Sequence, residues 1–144
     1  MHDIADEDTP LQAGLAFAVA FGKRAAFIGR EALDRQKSAG LRRRLVMFAL
    51  DDPEPLVYHN EPIWRNGRLV GRVTSGAYGH TLGRSLCMGY VSGGHGTNGG
   101  ALVTPEYLLS GAYEIEIAST RFSARPSLRP FYDPMSERIR KSIQ

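Results

Sequence analysis

A single cysteine in 144 residues, Cys87, leaves no partner for an internal disulfide and suits a reducing compartment. Long apolar runs are missing too, with none near the roughly 20 residues of a membrane span. Net charge is scarce, at +3, too little to attract nucleic acid or an anionic membrane unless a patch concentrates it. The opening "MHDIADEDTP" has neither the basic start nor the apolar middle of a signal peptide. These absences predict a soluble, cytoplasmic protein that binds neither nucleic acid nor membrane. The length is enough for one domain with a core of its own. Glycine is abundant, sixteen residues, which points to many tight turns.

Along the chain, "LAFAVAF", Leu15 to Phe21, is an apolar run short enough for a buried strand. "AAFIGREALDRQKSAG" places Phe27, Ile28, Glu31, Ala32 and Arg35 at helical spacing and ends at Gly40, a natural stop. From Leu41 the character turns to strands. "RRLVMFALDD" reads as a strand closed by a turn at Asp51–Pro53. Asn66-Gly67 accommodates the positive φ angles of a type I′ turn and predicts a hairpin of Pro62–Arg65 with Arg68–Thr74. "SLCMGYVS" is a further strand. "AYEIEIAS" alternates Tyr113, Ile115 and Ile117 with Glu114, Glu116 and Ala118, as a strand with one wet face does. "RFSARPSLRP" reads as a last strand, demoted by Pro126 to an edge or a bulge.

Several stretches carry candidate chemistry. Gly94, Gly96 and Gly99 spell G-x-G-x-x-G, which would cradle a dinucleotide phosphate inside a parallel βαβ unit. The helix signal that follows, Thr104 as N-cap and Pro105 at the first position, starts five residues later and lasts about two turns. The next strand is amphipathic rather than a parallel-sheet core. A loop is the better reading. His2, His59, His80 and His95 lie too far apart to announce a metal site. Cys87 sits between Leu86 and Met88 and reads as a small buried hydrophobe rather than a nucleophile. Ser75 lacks the frame of a hydrolase elbow. Arg42, Arg43 and Arg44 alternate across a strand, so at least one must turn inward and find a partner; a solvated or domain-docking face suits them better than nucleic acid. "TSGAYGHTLGRS", with three glycines around Tyr78 and His80, reads as a wide, kinked connection that could face a ligand.

Taken together, "TPLQAGLAFAV", "AFIGREALDRQ", "RRLVMFAL", "EPIWRNGRLVGRVTSGAYGHTLGRSLCMGYV" and "YEIEIASTRFSARPSLRPFYDP" resemble the end of a glycine-cleavage T-protein-like aminomethyltransferase module. The likeness is strongest to the branch found in bacterial dimethylglycine and sarcosine dehydrogenase-like flavoproteins. It covers Asp3 to about Arg140.

The resemblance implies a mainly β fold. Residues 41–134 would form an antiparallel Greek-key, jelly-roll-like β-barrel, and residues 1–40 a strand-helix remnant of the preceding folate-binding domain. Residues 135–144 would be a flexible basic tail. It also implies tetrahydrofolate as cofactor, and partners in upstream folate-binding and flavin domains, FAD residing only in the latter. No residue of this chain is expected to be catalytic and none to bind a metal. In that branch the aromatic after "AGL-x" lines the folate cavity, usually as tyrosine. Here it is Phe17, which keeps a stacking face and loses a hydroxyl; simple core packing is the other reading. Tyr132 directly follows Pro130-Phe131 and does not match the family's late folate-contacting tyrosine in register, so that role is not transferred. "GGHGTNGG" looks like an insertion between barrel strands. Two functions follow: a wall closing the folate cavity of an amine demethylase, inactive alone, or a structural module docking a partner domain.

Overall fold

The structure is a computed structural model that describes residues 3–94 and 100–141. Six strands, β1 (Arg43–Leu50), β2 (Pro62–Arg65), β3 (Arg68–Gly79), β4 (Arg84–Ser92), β5 (Tyr113–Ile117) and β6 (Thr120–Ser127), form one closed barrel in the order β1-β4-β3-β2-β5-β6. Every pairing is antiparallel, and β6 returns to β1 through Met47↔Ser127 to Leu50↔Ala124. Placing β1 beside β4 after the β2-β3-β4 meander gives the Greek-key order. Three short helices accompany it: α1 (Arg30–Ala39), α2 (Pro105–Leu109) and α3 (Glu137–Lys141).

The local chemistry explains these elements. Asn66 at φ 49° and Gly67 at φ 75° make the two-residue turn between β2 and β3. The Asn66 amide side chain and backbone then bind both polar groups of Ala112, so the turn also fixes the start of β5. The Thr104 hydroxyl accepts from the Tyr107 N–H at 3.1 Å and caps α2, whose Leu108 is fully buried. β1 sends Val46, Phe48 and Leu50 inward to meet Ile63, Val91 and Ile115, all nearly inaccessible. The rings of Phe48 and Tyr113 meet at 5.2 Å, tilted, inside this core. Cys87 is buried among them, as a small hydrophobe would be.

Four sequence expectations change. "LAFAVAF" is no buried strand: Ala16–Ala18 make one 3₁₀ turn and Phe17 is 86% exposed. The barrel closes on itself with six strands of its own, so it offers no edge to which a seventh could add. The helix begins at Arg30, later than the periodicity predicts, because Gly29 adopts φ 87° and caps it, leaving Ile28 wholly exposed. β3 continues through the glycines to Gly79, where a kinked connection is predicted. At Gly76 a side chain would strike the Val57 carbonyl, so the glycine serves a close crossing rather than a break. Pro126 does not demote β6 to an edge strand, since β6 pairs with both β5 and β1. The proline pairs with Phe48 on the β1 side only, beyond the point where the β5 ladder stops at Ala124, so its other side is the locally open edge that a proline needs.

Just ahead of the expected tail, Asp133 accepts from the N–H groups of Glu137 and Arg138 and starts α3 within it. No helix among the described residues is long and apolar enough to cross a membrane.

Candidate functional site

The N-terminal segment docks on the outside of the barrel through charge and apolar contact together. Asp8, with its side chain 5% exposed, pairs with Arg43 at 2.9 Å, and the Arg43 guanidinium lies 3.9 Å above the Tyr90 ring. The Asp3 carboxylate accepts from the Thr74 hydroxyl at 2.6 Å. The Leu45 N–H donates to the Gln12 carbonyl, and Leu11 and Ala13 are buried beside it. Burial pushes the Tyr90 phenol up to about 12, the facing Asp8 carboxylate adding to it and Arg43 opposing. Next to this joint lies a cleft of about 480 Å³ walled by Arg43, His59, Arg72, Thr74 and Tyr90. Its chemistry suits an anionic group, although Arg43 already answers Asp8 and Arg72 donates to the Asn60 carbonyl.

The arginine triplet therefore does not make one basic face. Arg42 donates to the Gly100 carbonyl at 2.6 Å, Arg43 binds Asp8, and Arg44 is half-buried beside Ala13 and Leu128. A second arginine joint holds the far side. Arg65 lies 3.9 Å over Tyr107, donates to its carbonyl at 2.8 Å, and fills the space above Gly111.

The residues singled out from the sequence do not converge. Phe17 sits on the exposed 3₁₀ turn, 86% accessible, and is not among the residues that wall the Arg43–Tyr90 cleft. Tyr78 is the penultimate residue of β3, and His80 lies in the following turn, the two rings edge-to-face at 5.2 Å on the surface. Of the glycine stretch, Gly96 and Gly99 lie outside the described residues, as do His2 and His95. Ala101 N–H donates to the Gly93 carbonyl, and no parallel βαβ unit flanks the stretch, since β4 and β5 pair only antiparallel. Burial pushes the Cys87 thiol up to about 12, with the Glu61 charge adding to it, so it stays protonated near neutral pH and is no nucleophile. The sequence reading missed the Asp8–Arg43–Tyr90 joint. Its one signal was the acidic run "DEDTP" some 35 residues before "RRR", opposite charges on segments that could meet.

Residues 43–133 match the model of the glycine cleavage T-protein C-terminal barrel domain. The chain belongs to this family. Family relatives include mitochondrial sarcosine dehydrogenase of Homo sapiens, 38% identical over 96% of this chain and 14% of that protein. Another is the mitochondrial pyruvate dehydrogenase phosphatase regulatory subunit of Mus musculus, 40% identical over 97% of this chain and 16% of that protein. The solved aminomethyltransferase T of the Bartonella henselae glycine cleavage system shares the fold, with a TM-score of 0.65 at 23% identity over 86% of this chain and 32% of that one. The chain spans between 10% and 32% of the length of the curated relatives it matches, so it corresponds to one module of those larger proteins.

Proposed function

We propose that this chain is the C-terminal module of a tetrahydrofolate-linked, aminomethyltransferase-type protein of the dimethylglycine and sarcosine dehydrogenase kind. It would close the folate cavity from one side and have no activity alone. One observation carries the reading. Residues 15–40 expose Phe17 and Ile28 almost completely, and α1 buries none of its residues. Apolar side chains left this open are normally covered by another folded unit. The preceding folate-binding domain is that unit, and a flavin domain carrying FAD lies further upstream.

The residues present do not by themselves fit a folate. Phe17 is an exposed stacking face, and Tyr78 and His80 stand on the surface with their rings in contact with each other. No chemical step is assigned to them. The part that remains for this chain is to exclude water from a cavity completed by the preceding domain, which protects a reactive one-carbon unit from hydrolysis.

The test is calorimetric titration of tetrahydrofolate into a longer polypeptide with the preceding domains restored ahead of Met1. Binding that weakens roughly tenfold in Phe17→Ala supports the cavity-wall reading. A second reading, a non-catalytic docking module, is favoured by the likeness to a phosphatase regulatory subunit. Complete absence of folate binding in the longer polypeptide would support that one.

A further inference from the structure

Barrel strands alternate core-facing and outward-facing residues. On β1 the core takes Val46, Phe48 and Leu50, which leaves Leu45 and Met47 on the other face. Across the ladder, Leu45 pairs with Tyr90 and Met47 with Met88. These outward positions are therefore apolar where a barrel wetted on its outside would carry polar residues. The Tyr90 end is covered by the Asp8 joint. The other end is open, a groove of about 260 Å³ lined by Met47, Met88, Leu86, Cys87 and the 75–77 stretch of β3.

The same two methionines also form the wall of an adjoining depression whose opposite side is Ala13 and Gly14. The groove is thus continuous with the seat already taken by the N-terminal segment. At Gly14, at φ 77°, the chain turns off the barrel toward the uncovered Leu15 and Phe17. Phe17 is three residue steps from Gly14, a reach of at most about 11 Å. The Phe17 backbone therefore lies within about that distance of the rim of the adjoining depression, so a unit that covers Phe17 reaches the neighbourhood of the groove.

We propose that the Met47–Met88 groove on the outside of β1, β4 and β3 is the docking seat of the folded unit that precedes the barrel in the same polypeptide. The proposal rests on the reading of the chain as a C-terminal module and adds the surface through which that module is held. Methionine suits such a seat because its unbranched side chain adapts to the shape laid against it.

Oxidative footprinting tests it, with Met135, 55% exposed and far along the chain, as internal reference. The 144-residue chain is compared with a longer polypeptide in which the part of human sarcosine dehydrogenase ahead of the matched region is fused before Met1. In the 144-residue chain, Met47 and Met88 are expected to oxidise within a few-fold of Met135. In the longer one they slow at least tenfold while Met135 is unchanged. Equal rates in both polypeptides overturn the proposal. So does protection in the short chain that grows with its concentration, which would make a second copy the occupant. A fusion that fails to fold, where the parent dehydrogenase folds, also counts against it. Folate titration on the same sample separates the two claims. Folate binding without methionine protection defeats the docking seat alone, and protection without folate binding defeats the cavity-wall reading alone.

Discussion

The barrel and the arm formed by residues 15–40 obey different rules although they share one chain. The barrel has no free strand edge, and Phe48, Leu50, Ile63, Val91 and Ile115 are sealed inside it. The arm has a helix of ten residues that buries none of them. Its internal bonds are local: Arg30 donates to the Phe21 and Lys23 carbonyls, and the Lys37 ammonium lies 4.7 Å over the Phe21 ring. Isolated helices shorter than about 12–15 residues are marginal in water. The barrel closes its core with its own strands, whereas the helix of the arm is left uncovered by the described residues.

The largest expected effect breaks the barrel. Phe48→Ala removes the ring that packs on Tyr113 at the core's centre and is expected to cost about 3–5 kcal/mol. The measurement is the shift of the urea midpoint. An effect under 1 kcal/mol would mean that the core is looser than its packing indicates.

Alkaline pH strikes the same region. Burial raises Cys87 from 9.0, and Tyr90 and Tyr113 from 10.0, each to about 12. Because the folded values lie above the unfolded ones, these groups contribute fully below about pH 9. Their contribution is lost as pH rises toward 12, since the unfolded chain ionises first. Thermal melting is expected to fall steeply across that window. Cys87→Ala, measured as the difference in melting temperature between pH 8 and pH 11, should flatten the lower part of the fall. An unchanged slope would remove the thiol from the account.

A smaller effect loosens the joint between the N-terminal segment and the barrel. Asp8→Ala leaves Arg43 without its partner, but Arg43 is 43% exposed and water can reach it. The expected cost is therefore about 1–2 kcal/mol rather than the larger penalty of a fully buried pair. Hydrogen exchange should show faster opening at the Leu45 amide, which donates to Gln12, with little change at Ile115 in the sealed core. Uniform acceleration throughout the chain would mean that the joint supports the whole barrel.

How legible each region was in the sequence follows the same division. Asn66-Gly67 carried its turn type, Thr104-Pro105 its helix start, and Tyr113 to Ile117 its wet and dry faces, because each is decided by residues within a few positions. "LAFAVAF" misled because a short apolar run states a need for burial without stating who meets it. The glycines of β3 were read as breaks, but the reason for Gly76 is a carbonyl nineteen positions earlier, at Val57. Closure of β6 onto β1 is likewise non-local, so nothing around Pro126 could announce that the sheet had no edge. The Asp8–Arg43–Tyr90 joint spans three separated segments, and only their charges hinted at it. Phe17 was singled out by resemblance rather than by pattern, and the structure leaves it 86% exposed.

The smallest expected effect is also the sharpest probe of the comparison. Phe17→Ala in the 144-residue chain removes a side chain that is 86% exposed and should change stability by less than about 0.5 kcal/mol. Amides of α1 should exchange orders of magnitude faster than those of β1 and β4, since local fraying opens them without unfolding the barrel. If α1 instead exchanges as slowly as β1, something within this chain already covers it, and the division between a self-sufficient barrel and a dependent arm fails. If it exchanges fast here and slowly in the longer polypeptide, and Phe17→Ala becomes costly only there, the arm's order is contributed by the preceding domain. Phe17 would then be read as a contact with that domain rather than as a misplaced core residue.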